Sequence, residues 1–130
     1  MKTSNFLLFF AIYAFIVGGM QLLNANGSLV NYGVQPIDQY HIVILQYLGL
    51  INIAAGLMYY RLRNEQSVNV ISTMLIYGII TCIGSFFKAC YDIFLKDVPS
   101  NTFFWIDMSF RLLVGLVCVY FLLNLNKKEA

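Results

Sequence analysis

Two oppositely charged pairs, Lys88 with Asp92 and Asp107 with Arg111, sit four residues apart in two otherwise apolar segments. Only 11% of the chain is Asp, Glu, Lys or Arg, so charges there need a reason. A spacing of four puts both partners on one face of a helix, and an ionisable residue at the border of hydrocarbon is a functional-site hypothesis by default. Lys88 or Arg111 could hold an anionic group, and Asp92 or Asp107 could act as acid or base. Gln21, Gln46 and His41 are the other polar candidates.

Little else in the chain supports chemistry. With one histidine and no CxxC or Cys/His cluster among three cysteines, a zinc or haem site is not expected. Two acids accompanied by two bases argue against a hard-cation site, and no cofactor is expected. No Ser-His-Asp or Cys-His arrangement, phosphate-binding glycine loop or basic nucleic-acid stripe appears. A net charge of +2 reflects topology, and nucleic acid is not an expected partner.

The elements that position these residues follow from hydropathy. The chain is 60% hydrophobic with a mean hydropathy of +0.74, more apolar surface than a soluble core of this size hides. Apolar runs cover about Phe6 to Leu23, Ile42 to Tyr60, Val68 to Phe87 and Ile106 to Leu125. Each holds roughly 18 to 20 residues, enough for an α-helix to cross a hydrocarbon core about 30 Å thick. The runs lack the alternation of barrel strands. The expected fold is all-α, a single four-helix up-and-down membrane bundle with spans of about 6–23, 37–60, 68–92 and 102–125.

Punctuation between the runs agrees. Asn24 to Tyr40 reads as an outer loop with a turn at Asn26-Gly27, Pro36 at a first helical position and Asp38 in the first turn. Asp97 to Asn101 ends one helix with Pro99 and offers Ser100 or Asn101 as the next N-cap. The short link from Arg61 to Gln66 predicts an antiparallel hairpin of the second and third spans. The first run also has signal-peptide features, Lys2 ahead of it and Val17-Gly18-Gly19 within it, but its apolar stretch is too long for an ordinary h-region and it is expected to stay as an anchor.

Lys2, Arg61, Arg63, Lys127 and Lys128 fall on one side if the spans alternate, whereas Lys88 and Lys96 on the other are offset by Asp38, Asp92 and Asp97. The positive-inside rule then puts both termini in the cytoplasm. Tyr40, Tyr91 and Trp105 would mark the outer interface, and Tyr59 with Tyr60 the inner one. A bacterial cytoplasmic membrane is the expected setting.

Counting at about 1.5 Å per residue, Lys88 and Asp92 lie at the outer boundary and Arg111 roughly 6 Å deeper than Asp107. Small and polar residues form a stripe on each span: Ala14, Gly18 and Gln21; Gln46, Gly49, Asn52 and Gly56; Thr81, Ser85, Lys88 and Asp92; Asp107, Arg111, Gly115 and Cys118. Such residues face protein rather than lipid. The four stripes are therefore expected to meet, lining an outward-opening pocket with Gln21, Gln46, Lys88, Asp92, Asp107 and Arg111, and with His41 at its rim. Purely structural roles fit the same residues: ion pairs that fix helix rotation, and interhelical hydrogen bonds from Gln46 and Asn52.

The run Gln46-Tyr47-Leu48-Gly49-Leu50 leading to Ala55-Gly56-Leu57 and an Arg-rich turn, together with Tyr32-Gly33-Val34 and the closing Gly115 to Leu123, resembles small four-span bacterial membrane proteins of the DoxX-like group. The resemblance spans nearly the whole chain and implies a four-helix membrane bundle and, as in some relatives, an accessory role beside a redox enzyme. It carries over no catalytic residue. The functional expectation is a binding or accessory subunit for a membrane lipid, a small ligand or a partner membrane protein, with homodimers open. Two alternatives stand beside it. One is a small transporter or channel, hinted at by Asn52 and Thr81. The other is a membrane enzyme acting on a lipid or quinone through the four charged residues.

Overall fold

The computed structural model describes residues 2–126, the side chain of Asn126 excepted. Lys127 and Lys128, counted above among the basic residues, lie outside the described residues. The described chain is helical, with α1 (Thr3–Leu23), α2 (Ala25–Asn31), α3 (Gln39–Leu62), α4 (Val68–Lys96) and α5 (Thr102–Asn126). All but α2 are long and apolar enough to cross a membrane, with mean hydropathies of 1.8 to 2.2 over their best windows. Two compact units result, Met1–Glu65 and Gln66–Ala130.

In the first unit α1 packs along α3 through glycine. A Cβ on Gly18 would stand 2.7 Å from the carbonyl oxygen of Gly49 and 2.9 Å from the backbone nitrogen of Ile53, and a Cβ on Gly49 would stand 2.8 Å from the carbonyl oxygen of Gly18. Lower on the same seam Gly56 approaches the carbonyl of Ala11. Small residues let membrane helices come close enough for backbone to touch backbone. The hydrogens that replace Cβ point at the opposing carbonyls, the geometry of a weak Cα–H···O contact. The stripes predicted on these two spans therefore meet each other. At one end the Ser4 hydroxyl donates to Asn64 Oδ1 at 2.8 Å, and Phe10 meets the buried Tyr59 edge to face at 4.5 Å between ring centroids.

Three local expectations need correction. The Asn26-Gly27 turn is the first turn of α2: Asn24 breaks α1 with φ −133° and ψ 51° and caps the next helix by accepting from the Gly27 amide at 3.3 Å. Gly27 leaves room for that cap, because a Cβ there would fall 2.6 Å from the Asn24 side chain and push it aside. Pro36 precedes α3 rather than opening it, because Asp38 is the N-cap and accepts from the His41 amide at 2.9 Å. Tyr59 turns inward instead of marking an interface, while Tyr60 stays 44% exposed beneath the Arg63 guanidinium.

The second unit is the α4–α5 hairpin. Helix α4 stops at Asp97, a left-handed residue with φ 53°, and the Val98 amide reaches back to the Asp92 carbonyl at 3.2 Å. This bond reaches six residues back and closes the helix end around Asp97, and Asp is among the few non-glycine residues that accept a positive φ. Asn101 then caps α5 by accepting from the Phe104 amide at 2.9 Å. Along the hairpin Gly115 lies against Ile83 and Cys82, and both Cys82 and Cys118 are buried.

Candidate functional site

Where α4 ends and α5 begins, the turn encloses a cleft of about 260 Å³. Its α4 wall consists of Ser85, Lys88, Ala89, Asp92 and Ile93, one face of the helix read at steps of three and four. The left-handed turn at Asp97 sends Val98 and Pro99 across the end, and Phe104 and Met108 from the first turns of α5 close the other side. Six of the nine lining residues are apolar, so the two charges are set at the edge of a hydrocarbon-like slot.

Those charges are interlocked. Asp92 Oδ2 is bonded to Lys88 Nζ, while its Oδ1 lies 3.4 Å from Lys96 Nζ, so one carboxylate serves two ammonium groups. The side chain of Asp92 is 26% exposed against 64% for Lys88, so the carboxylate is the sheltered partner and the lysine the one open to an incoming group. Lys96 also stands 5.2 Å over the Tyr91 ring, a cation–π contact.

The second predicted pair forms within α5. Arg111 Nε donates to Asp107 Oδ2 at 2.8 Å, with the side chains 20% and 14% exposed. A half-buried guanidinium needs such a partner: desolvation disfavours the charge, and the charge-assisted bond offsets it. Neither residue lines the cleft.

The first unit holds the remaining candidates. Gln21, buried on α1, accepts from Asn52 Nδ2 at 2.7 Å, and Gln46 Nε2 reaches the Leu22 carbonyl at 3.4 Å. These amides cross-link α1 and α3 beside the glycine contact. His41 is an exposed part of the α3 N-terminus, its Nδ1 accepting from the Asp38 amide at 3.4 Å to complete a reciprocal capping box. None of the three lines the cleft, whose walls all come from the second unit.

The polar residues read as hints of a transport path are engaged locally. Asn52 donates to Gln21, and the Thr81 hydroxyl donates to the Tyr77 carbonyl of its own helix at 2.9 Å. Ser85, at the cleft, likewise donates to the Cys82 carbonyl. No group of three or more His, Cys, Asp or Glu side chains suited to a metal ion occurs among the described residues.

Sequence reasoning placed Lys88 and Asp92 by charge on a polar pocket shared by four spans and missed the apolar slot that the α4–α5 turn forms beside them. The signal was present in Asp97-Val98-Pro99, read only as a helix stop, because closure of the turn over α4 depends on the left-handed Asp97 and the Asn101 cap acting together. In comparisons with known proteins, the chain matches no protein-family model, no curated protein and no solved structure.

Proposed function

We propose that the chain is a membrane-embedded binding or accessory protein that engages an amphiphilic ligand, or a partner's helix, through the cleft at the α4–α5 turn. The observation that carries this reading is the combination of an apolar slot with an ion pair at its rim. Ligand sites are concave and mostly apolar, with a few convergent polar groups. Both termini are assigned to the cytoplasm, supported by Lys2, Arg61 and Arg63 at one end of the α1–α3 pair, whose proximity the Ser4–Asn64 bond records. The cleft then opens at the extracytoplasmic face of a bacterial cytoplasmic membrane. The resemblance to DoxX-like proteins supports a four-span bundle and an accessory role.

The local engagement of Asn52 and Thr81 favours binding over transport. The enzyme reading is not adopted because Asp92 and Asp107 are each already bonded to a cation.

The reading is tested by native mass spectrometry of detergent-extracted protein alongside Val98→Trp and Ala89→Leu, which fill the cleft from its exposed and buried walls. A stoichiometric adduct on the wild type that both variants lose is the expected result. Wild-type protein free of adduct, or variants carrying the same adduct, overturns the reading. Orientation is tested separately by labelling the half-buried Cys90 with a membrane-impermeant maleimide, which should react in intact spheroplasts and fail in inside-out vesicles.

A further inference from the structure

We infer that the ligand of this cleft is a phospholipid with an anionic headgroup, its negative charge held by Lys88. The inference rests on the cleft being a binding site, as proposed above, and adds the chemical class.

At the rim two ammonium groups share the Asp92 carboxylate, Lys88 through Oδ2 and Lys96 through Oδ1. That trio carries one net positive charge. Lys88 lines the cleft and Lys96 does not. The two lysines are 64% and 54% exposed, whereas the carboxylate is 26% exposed. If Lys88 turns to an incoming anion, Asp92 keeps Lys96 and is not left as a partly buried charge without a cation, the outcome that makes breaking an ion pair costly. Exchange of partners at Lys88 is therefore built into the rim. The other cation on the hairpin's inner stretch, Arg111, is bound to Asp107 and does not line the slot.

Behind Lys88 the wall is Ala89, Ile93, Phe104 and Met108, a surface for methylene groups and not for a second charge. A volume of about 260 Å³ falls just below the roughly 300 to 1,000 Å³ of sites that enclose a whole drug-sized ligand. It accommodates the neck of a lipid, with the acyl chains continuing along the helices into the bilayer. A small inorganic anion would leave the apolar wall unfilled.

The experiment is native mass spectrometry of the full chain released from nanodiscs containing equimolar phosphatidylglycerol and phosphatidylcholine, whose acyl chains are matched. Wild-type protein is expected to retain the anionic lipid about fivefold over the zwitterionic one, the factor for one lysine acting on an anionic headgroup at about 1 kcal/mol. Lys88→Gln should abolish the preference while a neutral adduct persists. Asp92→Asn, which releases Lys88, should raise the preference. Val98→Trp should abolish retention of both lipids.

Equal retention of the two lipids by wild-type protein, lost from Val98→Trp, overturns the anionic assignment and leaves the binding reading intact. A preference that survives Val98→Trp overturns it too, since attraction would then come from surface charge outside the cleft. Wild-type protein without any lipid adduct overturns both.

Discussion

Gly18 and Gly19 are neighbours in α1 with opposite surroundings, and that contrast makes the α1–α3 contact testable. A Cβ on Gly19 meets nothing within 4 Å, whereas one on Gly18 would stand 2.7 Å from the Gly49 carbonyl oxygen and 2.9 Å from the Ile53 nitrogen. Both obstacles are backbone, so no rotamer change relieves them. Ordinary contact begins near 3.4 Å, and Gly18→Ala must therefore move the helices apart by about 0.7 Å, the difference between 3.4 and 2.7.

The consequence reaches the next turn. The Asn52–Gln21 hydrogen bond would lengthen from 2.7 Å toward about 3.4 Å by the same shift, beyond the usual range for an amide donor. Overpacking costs about 1 to 3 kcal/mol, and loss of the Cα–H···O contacts lies within the same range. Gly18→Ala is expected to destabilise the α1–α3 pair by about 1 to 3 kcal/mol, roughly a five- to 150-fold change in its equilibrium. Gly19→Ala should not destabilise and should gain up to about 1 kcal/mol of helix propensity, since its Cβ meets nothing.

The assay is reversible unfolding in mixed micelles at rising dodecyl sulfate fraction, followed by energy transfer between labels on α1 and α3. Gly49→Ala should match Gly18→Ala, and the double variant should cost less than the sum because the first separation makes room for the second Cβ. Equal effects at Gly18 and Gly19, or a Gly18→Ala protein as stable as wild type, would refute the close approach.

Further outcomes follow from the same geometry. Asn52→Leu should destabilise by about 0.6 to 1.7 kcal/mol, the range for interhelical bonds in membranes, and a double-mutant cycle with Gln21→Leu in the same micelles should show coupling of similar size. Arg111→Ala and Asp107→Ala should each destabilise by about 1.5 to 3 kcal/mol as a charge-assisted bond is lost, with the double variant milder than the sum because no half-buried charge is left unpaired. Asp38→Ala removes the side-chain half of the α3 capping box, leaving the backbone amide that donates to His41 Nδ1, and should cost about 1 kcal/mol, read as faster amide exchange at His41 with exchange at Asn52 unchanged.

The sequence disclosed long-period features better than turns. Four helices were legible because membrane-length apolar runs have few other readings, and the small-residue stripes of the first two spans were legible because glycine at helical spacing marks close approach. Gly18 meets Gly49, and Gly56 meets Ala11, as that pattern implies. The helix α2 was not, since seven residues from Ala25 to Asn31 carry no apolar period and the cap that starts them, Asn24 to Gly27, looks like a turn. Gln21 and Gln46 were assigned to the lining of a pocket, with interhelical hydrogen bonding from Gln46 and Asn52 as the structural reading beside it, because sequence spacing gives the face of a helix and not which neighbour that face meets. In the structure these amides bond α1 to α3.

The placement of charge has a common physical basis. A helix hairpin in a membrane must reverse direction, and its turn leaves backbone groups that require capping near water. In α4–α5 the left-handed stop at Asp97 and the Asn101 cap meet that need with backbone and one amide, leaving Lys88, Asp92 and Lys96 unneeded for capping. At the start of α3 the opposite holds: Asp38 and His41 are both consumed by the cap. Polar residues at one helix end are therefore structural and at the other available, and the distinction is which backbone donors they satisfy. Lys88 satisfies none that the helix requires, is largely exposed, and borders an apolar slot. A charge retained in that position, with its carboxylate partner doubly supplied, is suited to receiving a headgroup.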